Sequence, residues 1–237
     1  MINTILFDLD GTLLPLEQEE FIDYYFKQLI AKFYLYGYEP GTLLESLKKA
    51  TEAMVMNDGS LSNENVFWIV FQKYIAKDIT PLKAATEDFY RHEFSVCKSL
   101  TEPTKLAGEC VKMLREKGYQ LVLATNPLFP QIATYIRMEW AGISKEDFSL
   151  ITTYEMCNYS KPNLDYYRFI LKTIGKSAEE CLMVGNDVEE DMCAGEFGMD
   201  TYLLTDCMLN EKNKDITTLQ KGTFQEFYHY IQALPWA

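Results

Sequence analysis

Histidine is almost missing from this chain of 237 residues: only His92 and His229 occur, far apart. That argues against a His-based catalytic triad and against a histidine-rich metal centre. Paired cysteines are missing as well. The 6 cysteines stand singly at 97, 110, 157, 181, 193 and 207, with no CxxC spacing, which reads as reduced thiols filling a core rather than a disulfide scaffold. No apolar run approaches the roughly 18 to 20 residues of a membrane span. The opening MINTILFDLD lacks a basic leader, so a signal peptide is not expected and a cytoplasmic protein is. Basic residues are scarce: 22 Lys and Arg against 35 Asp and Glu leave a formal charge of −13. Nucleic-acid binding depends on neutralising phosphates with cations, so that partner class is excluded. Internal repeats and low-complexity segments are absent too, and nothing in the sequence sets the oligomeric state.

What is present is a globular chain, 48% hydrophobic and 24% charged, long enough for one large or two unequal domains. Ile5-Leu6-Phe7, Leu121-Val122-Leu123-Ala124, Leu150-Ile151 and Leu182-Met183-Val184 are apolar at consecutive positions, as buried strands are. Thr201-Tyr202-Leu203-Leu204 is a fifth candidate. Between them lie helix signals: a basic last turn before Gly118, and capping-box spacings at Ser177 with Glu180 and at Thr223 with Glu226. This alternation predicts an α/β fold, a doubly wound and mainly parallel sheet. Residues 16–98 break the alternation. They hold no convincing strand, and Ile22, Phe26, Leu29, Phe33 and Tyr36, then Val66, Val70 and Tyr74, recur at helical intervals. The division expected is therefore an α/β core of 1–15 and 99–237 with an inserted all-helical domain of 16–98, entered near Pro15 and left near Pro103.

The sharpest motif is Asp8-Leu9-Asp10-Gly11-Thr12 at the end of the first strand. Residues two apart on an extended segment point the same way, so Asp8 and Asp10 can share a site while Leu9 turns inward. In such sheets ligands bind beyond the carboxyl ends of the strands. A plain Asx turn is the dull account, but four fixed letters match by chance in roughly one window in 10⁵. Three further features follow later strands. Thr125-Asn126-Pro127 is expected to open a helix, with Pro127 at its first position and the hydroxyl free to donate to an anion. Lys161-Pro162 offers one cation. Gly185-Asn186-Asp187-Val188-Glu189-Glu190-Asp191 places acids where a first helical turn would welcome them. Hard oxygen donors, a hydroxyl and one cation at a single sheet edge suit Mg²⁺ and a phosphoryl group.

These four motifs, in this order, resemble those of the haloacid dehalogenase superfamily, and the helical insert resembles the family's commonest cap, shared with phosphoglycolate phosphatases, some nucleotidases and β-phosphoglucomutases. The resemblance implies that Asp8 is the nucleophile and forms an aspartyl-phosphate, and that Asp10 is the general acid and base. It implies that Thr125 and Lys161 hold the phosphoryl group, with Leu9, Gly11, Thr12 and Asn126 as further substrate contacts. Mg²⁺ would be held by Asp8, the Asp10 carbonyl and an acid of the fourth motif. Here the sequence departs from many relatives, which carry an acid where Asn186 stands. Asp187 is the expected ligand, with Asn186 and Asp191 behind it; the alternative is Asn186 ligating through its amide oxygen. Family members that cleave carbon–halogen bonds lack an acid at the place of Asp10, so phosphate-ester chemistry is expected. The leading reading is a Mg²⁺-dependent phosphatase acting on a small phosphorylated metabolite. A sugar-phosphate mutase is the alternative, and a non-catalytic phospho-acceptor module a weaker one.

Overall fold

A strand with helices on both faces has no side to give to water, and consecutive apolar residues follow. In the computed structural model, which describes residues 1–237, six strands form one sheet: β1 (Thr4–Phe7), β2 (Gln120–Leu123), β3 (Leu150–Ile151), β4 (Cys181–Gly185), β5 (Asp200–Leu204) and β6 (Lys221–Gly222). Every pairing is parallel, in the order β3-β2-β1-β4-β5-β6. That is a doubly wound order, reversing between β1 and β4. The α/β class holds. The apolar runs mark five of the six strands, whereas β6 is a polar residue and a glycine and carries no apolar signal.

Alternate strand residues enter opposite cores. Ile5 and Phe7 pack with Leu121, Leu123, Leu182 and Val184 on one face, and Leu6 packs with Val122, Cys181 and Met183 on the other. The second face is covered by α7 (Leu164–Ile174), begun by the Asn163 side chain on the Asp165 amide and ended by left-handed Gly175. The first is covered by α5 (Lys105–Glu116) and α8 (Phe224–Ala233); α8 has the expected Thr223–Glu226 capping box. The Ser177–Glu180 box caps only a single 3₁₀ turn, Ala178–Glu180. No helix is long and apolar enough to cross a membrane.

Between β1 and α5 run α1 (Gln18–Tyr34), α2 (Pro40–Val55), α3 (Asn63–Ile75) and α4 (Thr80–His92), without a strand. The chain enters and leaves this block along two adjacent segments, where Leu16 bridges Thr101 and the Glu102 amide donates to the Pro15 carbonyl. The α1 stripe buries Phe26, Leu29 and Phe33, but Tyr36 lies beyond the helix and is exposed. On α3 the buried stripe is Trp68, Phe71 and Ile75 rather than Val66, Val70 and Tyr74. Two stripes share one helix there, and the bulkier aromatic one gains more from burial.

Two helix expectations fail next to the motifs. Pro127 does not open a helix: α6 (Gln131–Trp140) begins four residues later with Pro130 as its N-cap. The acids after Gly185 face no α-helix, because only a 3₁₀ segment, Met192–Phe197, follows them. Their placement is set by loop contacts instead.

Candidate active site

Parallel register sets the site. Phe7 lies opposite Leu123 on one side and Val184 on the other, so Asp8, Thr125 and Gly185 emerge together at the carboxyl edge. The Asp8 amide donates to the Val184 carbonyl and the Ala124 amide to that of Phe7. Asp8, Asp10, Thr125, Asn126, Asn186, Asp187, Glu190 and Asp191 line one cavity of about 90 Å³.

Lys161 is fully buried behind it. Its Nζ lies 2.9 Å from Asp8 Oδ1 and 2.6 Å from Asp191 Oδ1. Burial works against the charged amine, but Asp191 and Asp8 together outweigh it and hold its pKa well above the ordinary lysine value. Asp191 is raised by burial, which Lys161 opposes and the Asp8 charge reinforces. Its Oδ2 accepts from the Asp187 amide at 3.0 Å. Gly185 is needed here for space: a Cβ there would sit 2.0 Å from Asp191 Oδ2.

The Asn126 side chain is a strut, donating to Glu190 Oε2 at 2.8 Å and accepting from the Lys161 amide at 3.3 Å. Burial pushes the Glu190 carboxyl up to about 8, against the pull of Lys161. The Thr125 carbonyl is fixed by the Thr152 and Tyr166 hydroxyls. In the first motif the backbone turns back on itself. Gly11, at φ +78°, donates its amide to the Leu14 carbonyl, and Leu9 accepts from the Thr12 and Leu14 amides. A Cβ on Gly11 would strike Asn186 Nδ2 at 2.3 Å.

Asn186 is engaged at both ends, its Oδ1 accepting from the Thr12 hydroxyl at 3.0 Å and its Nδ2 donating to the Cys207 carbonyl at 2.7 Å. Asp187 Oδ1 accepts from the Glu189 and Glu190 amides at 2.7 and 2.9 Å. No three His, Cys, Asp or Glu side chains gather closely enough to enclose an ion by themselves. The available donors are all carboxylate, amide or carbonyl oxygens. That set fits Mg²⁺, which takes one or two carboxylates and completes its shell with water and substrate phosphate.

Two site neighbours carry no motif signal. Arg137 on α6 is fully buried and pairs with Asp10 Oδ2. The one hint is its position between Ala133 and Ala141 at fourfold spacing, a lone cation on a buried helical stripe. Asn63, at the start of α3, is also fully buried. Its Nδ2 donates to the Pro127 carbonyl at 3.1 Å and to Ser160 Oγ at 3.0 Å, and its Oδ1 accepts from Asn57. It thus ties the loops bearing Thr125 and Lys161 to the helical block. The helical block's own cations do not reach the cavity. Lys32 pairs with Asp88 and Glu93, Lys49 with Glu52, and Arg91 with Glu87.

The family model for haloacid dehalogenase-like hydrolases matches residues 2–196. The chain belongs to that family. Among curated proteins, this hydrolase is 25% identical to the pyrophosphatase PpaX of Halalkalibacterium halodurans, over 86% of its own length and 83% of the relative's. Its fold is similar to that of a crystallised HAD phosphatase from Thermococcus onnurineus, at TM-score 0.61 and 18% identity over the whole of both chains. It is also similar to Rhodobacter sphaeroides CbbY, crystallised with xylulose-(1,5)bisphosphate, at TM-score 0.59 and 16% identity over 95% and 96% of the two chains. Membership makes the chain an enzyme, a hydrolase.

Proposed function

We propose that this hydrolase cleaves small phosphate monoesters with Mg²⁺, through phosphorylation of Asp8. The observation that carries the reading is the Asp8–Lys161–Asp191 line, a buried lysine 2.9 Å from the nucleophile's carboxylate, in a cavity shared with Asp10 and Thr125. Asp8 attacks phosphorus while the ester P–O bond breaks, and Asp10 gives a proton to the departing oxygen. Water then attacks phosphorus and Asp10 takes its proton. The aspartyl P–O bond breaks and inorganic phosphate leaves. Lys161 offsets charge on Asp8 and the phosphoryl oxygens, and the Thr125 hydroxyl donates to one of them. The groups assigned to Mg²⁺ are Asp8, the Asp10 carbonyl and Asp187. When bound, the ion supplies charge neutralisation between nucleophile and phosphate. Asn186 keeps a positioning role, since its amide oxygen already accepts from Thr12.

The leaving-group side is lined by Leu16, Gln18, Phe21, Ile22, Leu128 and Phe129. A small, uncharged leaving group suits this lining better than the second anion of a diphosphate, which no lysine or arginine on the wall would meet. A panel of phosphorylated metabolites assayed for inorganic phosphate with Mg²⁺ tests the reading. Asp8→Asn should abolish release, and Asp187→Asn should raise the Mg²⁺ activation constant. Full turnover by Asp8→Asn, or isomerisation of a sugar phosphate without phosphate release, would overturn it.

A further inference from the structure

Arg137 has no part in the reaction just described, yet it heads the largest fully buried side chains of the molecule. Burying a guanidinium is costly, and apolar replacements usually serve stability equally well or better. Its surroundings are spare. Nε donates to the Ala133 carbonyl at 3.3 Å, and the guanidinium lies 4.0 Å from the Phe129 ring centroid. Phe129 in turn packs on Tyr25 at 5.2 Å. Its one anionic partner is Asp10, bound through Nη1 to Oδ2.

The pair is incomplete in a specific way. Arginine and a carboxylate can meet through two parallel hydrogen bonds. Here they share one, and both Arg137 Nη2 and Asp10 Oδ1 are buried without a partner. Buried polar atoms are nearly always satisfied, so an exception calls for a reason. The cavity that Asp10 lines is also where the ester oxygen must leave.

We infer that Arg137 is a positioning residue: it grips one carboxylate oxygen of Asp10 and thereby keeps Oδ1 available for proton exchange with the leaving oxygen. Phe129 and α6 hold the grip from behind. The dry setting strengthens an ion pair that water would loosen. This role rests on the proposed function of Asp10 as proton donor.

Leaving-group chemistry separates positioning from structure. An alkyl phosphate departs as an alkoxide and needs the proton, whereas acetyl phosphate departs as a stable carboxylate and does not. The quantity to measure is the ratio of kcat/KM for an alkyl phosphate to kcat/KM for acetyl phosphate on one preparation, because kcat/KM reports the step in which the leaving group departs and the fraction of folded enzyme cancels. Displacing a catalytic group by about 1 Å can cost about 10²-fold, so Arg137→Met should lower the ratio by about that factor. Arg137→Lys, which retains the charge but loses the planar fork, should fall between. In an Asp10→Asn background Arg137→Met should leave the ratio where Asp10→Asn has already put it. A ratio unchanged in both Arg137 variants but lowered in Asp10→Asn overturns the role of Arg137 alone. A ratio unchanged in Asp10→Asn overturns the assignment of Asp10 and, with it, this inference.

Discussion

Lys161→Met is the most informative single change, since it tests stability and chemistry through one atom. Nζ lies between Asp8 Oδ1 and Asp191 Oδ1 at 2.9 and 2.6 Å, and the Asp191 side chain is 1% exposed. Removing the cation leaves Asp191 as an uncompensated charge in the core, a loss of about 3 to 5 kcal/mol. In a chain of this length each kcal/mol moves the melting temperature by about 2 to 4 °C, so a fall of about 6 to 20 °C is expected. Catalysis should drop separately by about 10²- to 10³-fold, the effect of losing one electrostatic donor at a reacting group. Adding Asp191→Asn removes the stranded charge, and its amide oxygen can still accept from the Asp187 backbone. The double variant should therefore recover most of the melting temperature and none of the activity. Thermal denaturation beside phosphate release measures both. A Lys161→Met melting within 2 °C of the parent would refute the buried line, and recovery of turnover in the double variant would refute the role of Lys161 toward Asp8.

Gly185→Ala should drive Asp191 off Lys161, because the added methyl falls 2.0 Å from its carboxylate oxygen. A loss of about 1 to 3 kcal/mol is expected, and unaltered turnover would show that Asp191 is not needed where it stands. Asn63→Leu leaves the Pro127 carbonyl, Ser160 and Asn57 short of a partner, at about 1 to 3 kcal/mol. Hydrogen exchange should rise at the amides of Glu64 and Lys161, and protection unchanged at both would count against the tie. Glu180 accepts from the Ser177 backbone and the Asn3 side chain, which pull it from 4.5 down to about 2. A carboxyl lowered by folding stabilises fully above its unfolded value and loses that contribution as pH falls through the folded one. The gap in melting temperature between the parent and Glu180→Gln should therefore be open at pH 7 and close between pH 4.5 and 2; an equal gap at pH 3 would refute it.

What the sequence discloses is what neighbouring residues decide together. Apolar runs disclose β1 to β5, because full burial needs consecutive apolar side chains. Asp8 and Asp10 are legible as a contiguous motif, although β1 ends at Phe7 and a turn rather than strand geometry brings both to one cavity. The Thr223–Glu226 cap is legible because its hydrogen bonds span three residues. Its neighbours in sequence mark Lys161 only as a cation beside a strand, and its role comes from the family resemblance; its partners stand 153 and 30 residues away. Arg137 is 127 positions from Asp10, and Asn63 is 97 from Ser160. The α3 stripe was displaced for a related reason. Periodicity cannot say which of two stripes meets the core until the partner helix is in place.

Charge balance at the site explains why these distant partners matter. Asp8, Asp10, Asp187 and Asp191 line the cavity, and Lys161 and Arg137 stand buried behind it. The acids outnumber the cations, and burial raises the pKa of Asp10, Glu190 and Asp191 alike. A phosphate dianion entering such a site would meet these carboxyls in a chain of formal charge −13. In the proposed reaction a divalent cation would offset that excess as the phosphate enters. The two buried cations have the complementary duty. Lys161 is engaged to Asp8 and Asp191, and Arg137 to Asp10. They hold Asp8, Asp191 and Asp10 in place against mutual repulsion.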